Sequence, residues 1–431
     1  MPAQPFPFGR RLAGLASRFR GDRRGSIAVF FAMAFLPAAV CVGAAIDYTV
    51  AAKAKARLDA AADLAALAGV KSSNVLPTEA VARQAATSSF TANAGTMPDV
   101  TMGSVNVEVR DVALVRTATV TYTASVPTAF MGLMGVRSIA IAGSATATSA
   151  KPAYIDFYLM LDNTPSMGIG ATPTDVATMV ANTSDRCGFA CHDLSNPSGN
   201  YYQLAKKLKV TMRIDVVRQA VQGLMDQAYA TERVQNQFRF AVYTFGASCT
   251  QTSFTTIQTL TSNYGQVRSA ANAIDLMTIP KQGYNNDQCT DNNAILTAMN
   301  LTIPTPGDGS NAAAPQKVMF FVSDGVTDSY NPTGCTQRTT NGRCQEPLNP
   351  AYCTALKNRG IKIAVLYTTY LPLPTNSWYN TWIAPFQSQI GSNMAKCASP
   401  GLYFEVSPTQ GIAEAMNALF AKAVASSRLT Q

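Results

Sequence analysis

The sequence predicts an α/β protein: a doubly wound, mostly parallel sheet over residues 151–431, preceded by a long N-terminal helix and a small β-rich module. Three observations carry that reading. Ile155–Leu161 and Lys317–Ser323 are apolar runs of strand length that stop abruptly at polar residues, as strands buried on both faces do. Strand and helix patterns alternate from Tyr154 onward, which is how a parallel sheet acquires helices on both faces. Ser26–Ile46 carries no charge and is long enough to cross a bilayer as a helix.

The chain begins with a basic segment, residues 1–25. Arg10, Arg11, Arg18, Arg20, Arg23 and Arg24 against Asp22 supply +5 of the net +9. That cluster predicts a cytoplasmic N-terminus, a single span over 26–46 and the bulk of the chain on the far side. The remainder is too weakly charged to argue for a nucleic-acid partner. Two other readings of the segment stand beside the anchor. One is a cleaved signal peptide ending near Ala44-Ala45-Ile46. The other is a type IV prepilin, since Gly25 before an apolar helix resembles the prepilin cleavage site, although Phe30 occupies the position where that site carries glutamate.

Residues 47–70, rich in alanine and closing on Gly69, read as a helical stalk with a small-residue stripe suited to close packing. Residues 71–150 read as a small α+β module. Pro77–Ala94 suits a helix. Period-two alternation at Val105, Val107 and Val109, at Ala118–Ala124 and at Ile139 and Ile141 suits antiparallel strands. An apolar stretch, Phe130–Val136, lies between two of these strands; with no acid/base pair or ligand cluster, the module reads as structural or as a packing surface. Gly143–Pro152 reads as a linker.

Beyond it, the first apolar strand ends in Asp162, Thr164 and Ser166, spaced two apart, and the later one in Asp324-Gly325. Thr290 precedes a helix in a third loop. Open α/β sheets place their ligands at the carboxyl ends of strands. Carboxylates and hydroxyls converging there form an oxygen-only site for Mg²⁺ or Mn²⁺, with Ca²⁺ as a further candidate. Ile214, Val217, Val221 and Leu224 give the apolar face of a helix, with Arg213, Asp215 and Arg218 on the other side. Phe238–Phe245, Lys362–Tyr367 and Leu402–Val406 are further strands. Three polar insertions interrupt the pattern, at 168–202, 327–350 and 368–385. The first two begin at the expected metal face, where loops carry function.

Cys41 lies in the span. Cys187, Cys191, Cys249, Cys289, Cys335, Cys344, Cys353 and Cys397 all lie beyond it, an even number on the expected oxidising side, which argues for disulfides. Locality pairs Cys187 with Cys191 and Cys335 with Cys344. The expected fold pairs Cys353 with Cys397 and Cys249 with Cys289, though connectivity itself is not written in a sequence. His192, the lone histidine, follows Cys191 in a CxxxCH run, one residue longer than a haem-attachment motif. With no Ser-His-Asp set, Walker loop or HExxH motif, the chain reads as a binding protein and not an enzyme. A metal-dependent hydrolase is the catalytic alternative.

Two resemblances follow from these residues. Asp162-x-Thr164-x-Ser166, the loop Thr290 and Asp324-Gly325 resemble the metal-ion-dependent adhesion site of a von Willebrand factor type A domain, a Rossmann-like fold. The resemblance implies direct metal ligation by the two hydroxyls and the loop threonine. It gives the aspartates a role on the ion or its waters and leaves an open position for a partner's carboxylate. R-R-G-S-I-A-V, A-I-D and L-D-A-A-A-D-L-A-A-L-A-G, between Gly25 and Val70, resemble the N-terminal region of TadE/TadG-like tight-adherence (Flp) pilus assembly proteins. That resemblance implies anchorage in a bacterial inner membrane, a periplasmic bulk, and partners among pilus assembly proteins or a pilin with an exposed Asp or Glu. A minor pilin or tip adhesin within the fibre is the structural alternative. The spacing of Cys353 and Cys397 is also similar to that family's.

Overall fold

The computed structural model describes residues 26–71, 77–112, 114–250, 254–284, 288–370, 372–373, 376–406 and 411–429; the basic segment 1–25 lies outside them. The chain divides into two units, Met1–Asp111 with Arg116–Ser149, and Val112–Val115 with Ala150–Gln431.

In the first unit, α1 (Ser26–Gly69) runs unbroken for 44 residues through Pro37. It is long and apolar enough to cross a membrane. Its second half is not a free stalk. Leu58, Ala61, Ala62, Ala65 and Ala66 are buried in one cluster with Phe90 of α2 (Glu79–Ala94) and with Val120 and Tyr122 of the sheet. Side chains no larger than methyl let the helices approach closely. The sheet has the order β1 (Thr101–Val112), β2 (Val115–Pro127), β3 (Ser138–Ala150). Tyr122 donates from its hydroxyl to Asp59 Oδ1 at 2.6 Å, which satisfies the polar end of a buried ring.

The second unit is built on a mixed six-stranded sheet. Its strands are β4 (Ile155–Leu161), β5 (Phe238–Thr244), β6 (Thr255–Thr261), β7 (Gln316–Ser323), β11 (Lys362–Thr368) and β12 (Tyr403–Val406). Their order across the sheet is β12-β11-β7-β4-β5-β6. Neighbours pair parallel except β5 and β6. Alternate side chains feed two cores. Phe157, Leu159, Phe320 and Leu366 join α5 (Arg213–Thr231) and α11 (Ile412–Leu429) on one face. Tyr158, Met160, Phe321 and Val365 join α7 (Asn292–Thr302), α8 (Pro350–Asn358) and α10 (Gln387–Cys397) on the other. Burial on both faces explains why these strands read as continuous apolar runs.

The insertion at 327–350 forms a small antiparallel sheet, with the order β8 (Val326–Tyr330), β10 (Arg343–Pro347), β9 (Thr339–Thr340). The first insertion contributes α3 (Pro173–Asn182) and α4 (Tyr201–Lys207), and the third contributes α9 (Ser377–Trp382); α6 (Tyr264–Ala270) follows β6.

Cys249–Cys289, Cys335–Cys344 and Cys353–Cys397 are disulfide-bonded. The expected Cys187–Cys191 bridge is not formed. The loop folds back on itself instead, and the Cys187 sulfur accepts the Phe189 N–H at 3.4 Å.

Candidate metal centre

The strand order reverses between β4 and β7, so their carboxyl ends flank the crevice where open α/β sheets hold ligands. Asp162 follows β4 and Asp324 follows β7, and both carboxylates are fully buried. Asp162 is thoroughly held. Its Oδ1 accepts from the Thr164 N–H at 2.9 Å and the Thr164 hydroxyl at 2.6 Å, and its Oδ2 from the Ser323 hydroxyl at 2.7 Å. Asp324 is not. Its Oδ1 accepts only a long 3.2 Å bond from the Val326 N–H. The Ser166 hydroxyl leans on the same carboxylate, yet Asp324 Oδ2 is buried without a well-formed hydrogen bond.

Burial first, then the neighbouring Asp324 charge, pushes the Asp162 carboxyl well above its ordinary value. Burial likewise raises Asp324, against the pull of the Arg213 guanidinium. Two buried carboxylates lie side by side here, one with an oxygen that makes no well-formed hydrogen bond, a concentration of negative charge that a cation could neutralise. The hydroxyls suit such an ion. Thr164 gives its proton to Asp162, which turns its lone pairs away from that carboxylate, and Ser166 Oγ lies 3.3 Å from Thr164 Oγ1. The oxygen-only donor set fits a hard divalent ion.

Gly325 makes the turn after Asp324 with φ +75°, and a Cβ there would meet Met394 Cγ at 2.7 Å. Glycine is required on both counts.

Thr290 lines a cavity beside Ser166 and is held there by a different route. Its backbone exchanges two hydrogen bonds with Asp328 of β8, at 2.9 and 2.8 Å, and the Cys249–Cys289 bridge fixes the preceding residue. A cavity of about 220 Å³ is lined by Ser166 and Thr290 together with Cys187, Phe189, Cys191, Asp328, Arg343, Tyr370 and Trp378. All three insertions therefore contribute to its walls. In the Thr290 loop, Asp291 caps α7 by accepting from the Ala294 N–H, and Asp291 and Asn293 line a separate groove. Of these three residues, Thr290 alone lines the cavity with Ser166.

Two features escape a sequence reading. Arg213, expected on the polar face of its helix, is buried. It donates to the Thr369 carbonyl at 2.8 Å and acts electrostatically on both aspartates. The first residue of a helix projects past its end, where the apolar-face rule does not apply. Arg343 pairs bidentately with Asp328 and stacks on Trp378 at 4.5 Å, forming a fixed cationic wall of the cavity. His192 stacks on Tyr202 with ring centroids 4.2 Å apart, a packing role. Cys335, Cys344 and Glu346 also converge, but the two sulfurs are bonded to each other.

Residues 25–83 match the family model described as putative Flp pilus-assembly TadE/G-like. The N-terminal region is thus similar to pilus-assembly proteins. No curated protein matches the sequence. Among solved structures, the von Willebrand domain of the type V pili tip protein Mfa5 from Porphyromonas gingivalis matches at 8% identity and TM-score 0.37, covering 64% of this chain and 97% of that one. The pilus adhesin SpaC from Lactobacillus rhamnosus GG matches at 10% and 0.37, covering 77% and 34%. Proximal thread matrix protein 1 from the mussel byssus matches at 12% and 0.32, covering 63% and 45%. Likeness at this level carries neither a function nor a site across.

Proposed function

We propose that this protein is a membrane-anchored assembly or adhesion factor of a tight-adherence pilus. In this reading α1 crosses the inner membrane with its N-terminus in the cytoplasm. The C-terminal unit is a periplasmic von Willebrand A-like domain that grips a partner's Asp or Glu through Mg²⁺ or Mn²⁺. The observation that carries it is the orphaned, buried Asp324 Oδ2 beside Asp162 at the sheet's switch point, next to a walled cavity. Asp324 and the hydroxyls of Thr164, Ser166 and Thr290 would hold the ion, and Asp162 would orient Thr164 and the ion's waters. The ion would supply a Lewis-acidic position that a partner carboxylate completes. Arg343 and Trp378 would select what enters. In this reading the role is binding; the catalytic alternative is a metal-dependent hydrolase, which turnover of phosphoesters would establish.

The test is Mn²⁺ titration of the full chain in detergent, followed by electron paramagnetic resonance, for wild type and Asp162→Ala. Wild type should bind one ion and the variant none, with unchanged circular dichroism. A second reading is favoured by Arg213: its guanidinium serves as the resident counter-ion and the site takes no metal. Wild type that binds neither Mn²⁺ nor Mg²⁺ at millimolar concentration would establish that second reading and end the first.

A further inference from the structure

The apolar stretch between β2 and β3 is placed by a single carboxylate. Asp47 of α1 is only 5% exposed although it follows the uncharged span directly. Its oxygens accept the backbone N–H groups of Ala129 at 2.9 Å, Phe130 at 2.9 Å and Met131 at 2.7 Å. These are the groups that open the 3₁₀ turn Met131–Met134. The charge is thereby satisfied without water, and the turn is pinned to the helix.

The pinned turn lies along the span and not above it. Gly43 lies about 6 Å, just over one helical turn, nearer the N-terminus than Asp47. A Cβ at Gly43 would meet Phe130 Cβ at 2.6 Å, so the turn sits directly on the helix there. Gly43 and Asp47 are buried and Val40 and Ala44 half-buried, while 27–39 are exposed throughout. The covered stretch, Val40 to Asp47, measures about 10 Å at 1.5 Å per residue.

What the turn presents outward is apolar: Leu133 is 87% exposed, Met134 52%, Phe130 46% and Val136 42%. Arg137 follows at its exit, and Tyr48 stands exposed on α1 beside Asp47. An apolar tip with a cation and a tyrosine at its polar margin is the composition of a group seated at a bilayer interface.

We propose that the 130–136 turn is a second membrane contact, inserted beside α1 into the leaflet from which α1 emerges. The proposal rests on α1 crossing the membrane. Depth there, about 5–10 Å below the headgroup boundary, is typical of interfacial apolar groups and agrees with the length of helix the turn covers. It explains why an exposed apolar patch, which otherwise marks an unmet partner, is continuous with the apolar surface of the span. It also fixes the rotation and tilt of α1, because a helix held at two points cannot roll freely in the bilayer.

The test is collisional spin-label accessibility in the full chain. The background has Cys41, Cys187 and Cys191 replaced by serine, and the bilayers are phosphatidylethanolamine and phosphatidylglycerol. Labels are placed at Leu133→Cys, at Val29→Cys in the span and at Ser88→Cys on the exposed face of α2. Leu133→Cys and Val29→Cys should collide with oxygen several-fold more than with a water-soluble nickel chelate, and Ser88→Cys the reverse. Leu133→Cys biased toward nickel while Val29→Cys favours oxygen would overturn the proposal and leave the span standing. Nickel bias at both would overturn the span and the proposal together. Shielding of Leu133→Cys from both reagents would mean that protein, not lipid, covers the turn, and would equally overturn it.

Discussion

At the start of β4, Asp156 faces its register partners, Arg239 on β5 and Lys317 on β7. Arg239 donates bidentately at 2.6 and 2.8 Å, Lys317 at 2.6 Å, and the carboxylate is 1% exposed. At the other end of β4 and β7, Asp162 and Asp324 are equally buried, but the cross-strand relation is between like charges and one oxygen has no partner. The same two strands thus hold a buried carboxylate in two ways. One end is closed: each charge is paired, and a ligand would find nothing to satisfy. The other is left open, with a buried carboxylate oxygen that a ligand could still satisfy.

The comparison breaks most sharply at the closed end. Asp156→Ala leaves the Lys317 ammonium, itself 6% exposed, buried without its partner. Loss of one member of a buried pair costs about 3–5 kcal/mol, so urea denaturation with all divalent ions chelated should show a loss of that size. Asp324→Asn in the same buffer should cost little or raise stability, since it relieves repulsion. Equal losses at the two ends would erase the distinction.

A pH series sharpens it next. The folded pair keeps its protons to higher pH than the unfolded chain does. Without a cation, stability should therefore fall as pH rises from the ordinary value of 3.8 to about 7 for Asp162. An ion that binds the ionised pair offsets that loss. The gain in Tm on adding Mg²⁺ should be larger at pH 8 than at pH 5, by differential scanning calorimetry. A gain independent of pH would place the ion elsewhere.

Arg213 tests how open the open end is. Arg213→Met removes the positive charge that competes with a cation, and Mn²⁺ affinity should rise about tenfold, the equivalent of 1.4 kcal/mol. The smallest effect belongs to Thr164→Ser. It keeps the hydroxyl and deletes a methyl group, so stability should stay within about 0.5 kcal/mol and the binding isotherm should be superimposable on wild type.

Much of the fold was legible because strands buried on both faces leave an unmistakable mark: Phe157–Leu161 and Val318–Val322 are apolar without alternation. The placement of Asp162, Thr164, Ser166 and Asp324 at the sheet's rim was legible because they follow such strands directly. Asp156 was not, since a lone acid inside an apolar run looks like noise until Arg239 and Lys317 are seen across from it. Arg213 was misplaced because helix-face arithmetic fails in the first turn. The small sheet of β8, β9 and β10 was unreadable for a different reason: its strands are short and polar, and the Asp328–Arg343 pair and the Cys335–Cys344 bridge hold it in place of an apolar core. The Cys187–Cys191 pairing was inferred from proximity in sequence alone, which says nothing about where a loop turns its sulfurs.

The Cys249–Cys289 bridge adjoins Thr290, and its two cysteines lie 40 positions apart. In the chain-entropy account, closing a loop of that length removes about 4 kcal/mol of freedom from the unfolded chain. In the native protein it also fixes the residue next to Thr290. Under the function proposed above, a chain whose thiols are still reduced would hold its ligands more loosely, and its metal affinity would report whether oxidation has taken place.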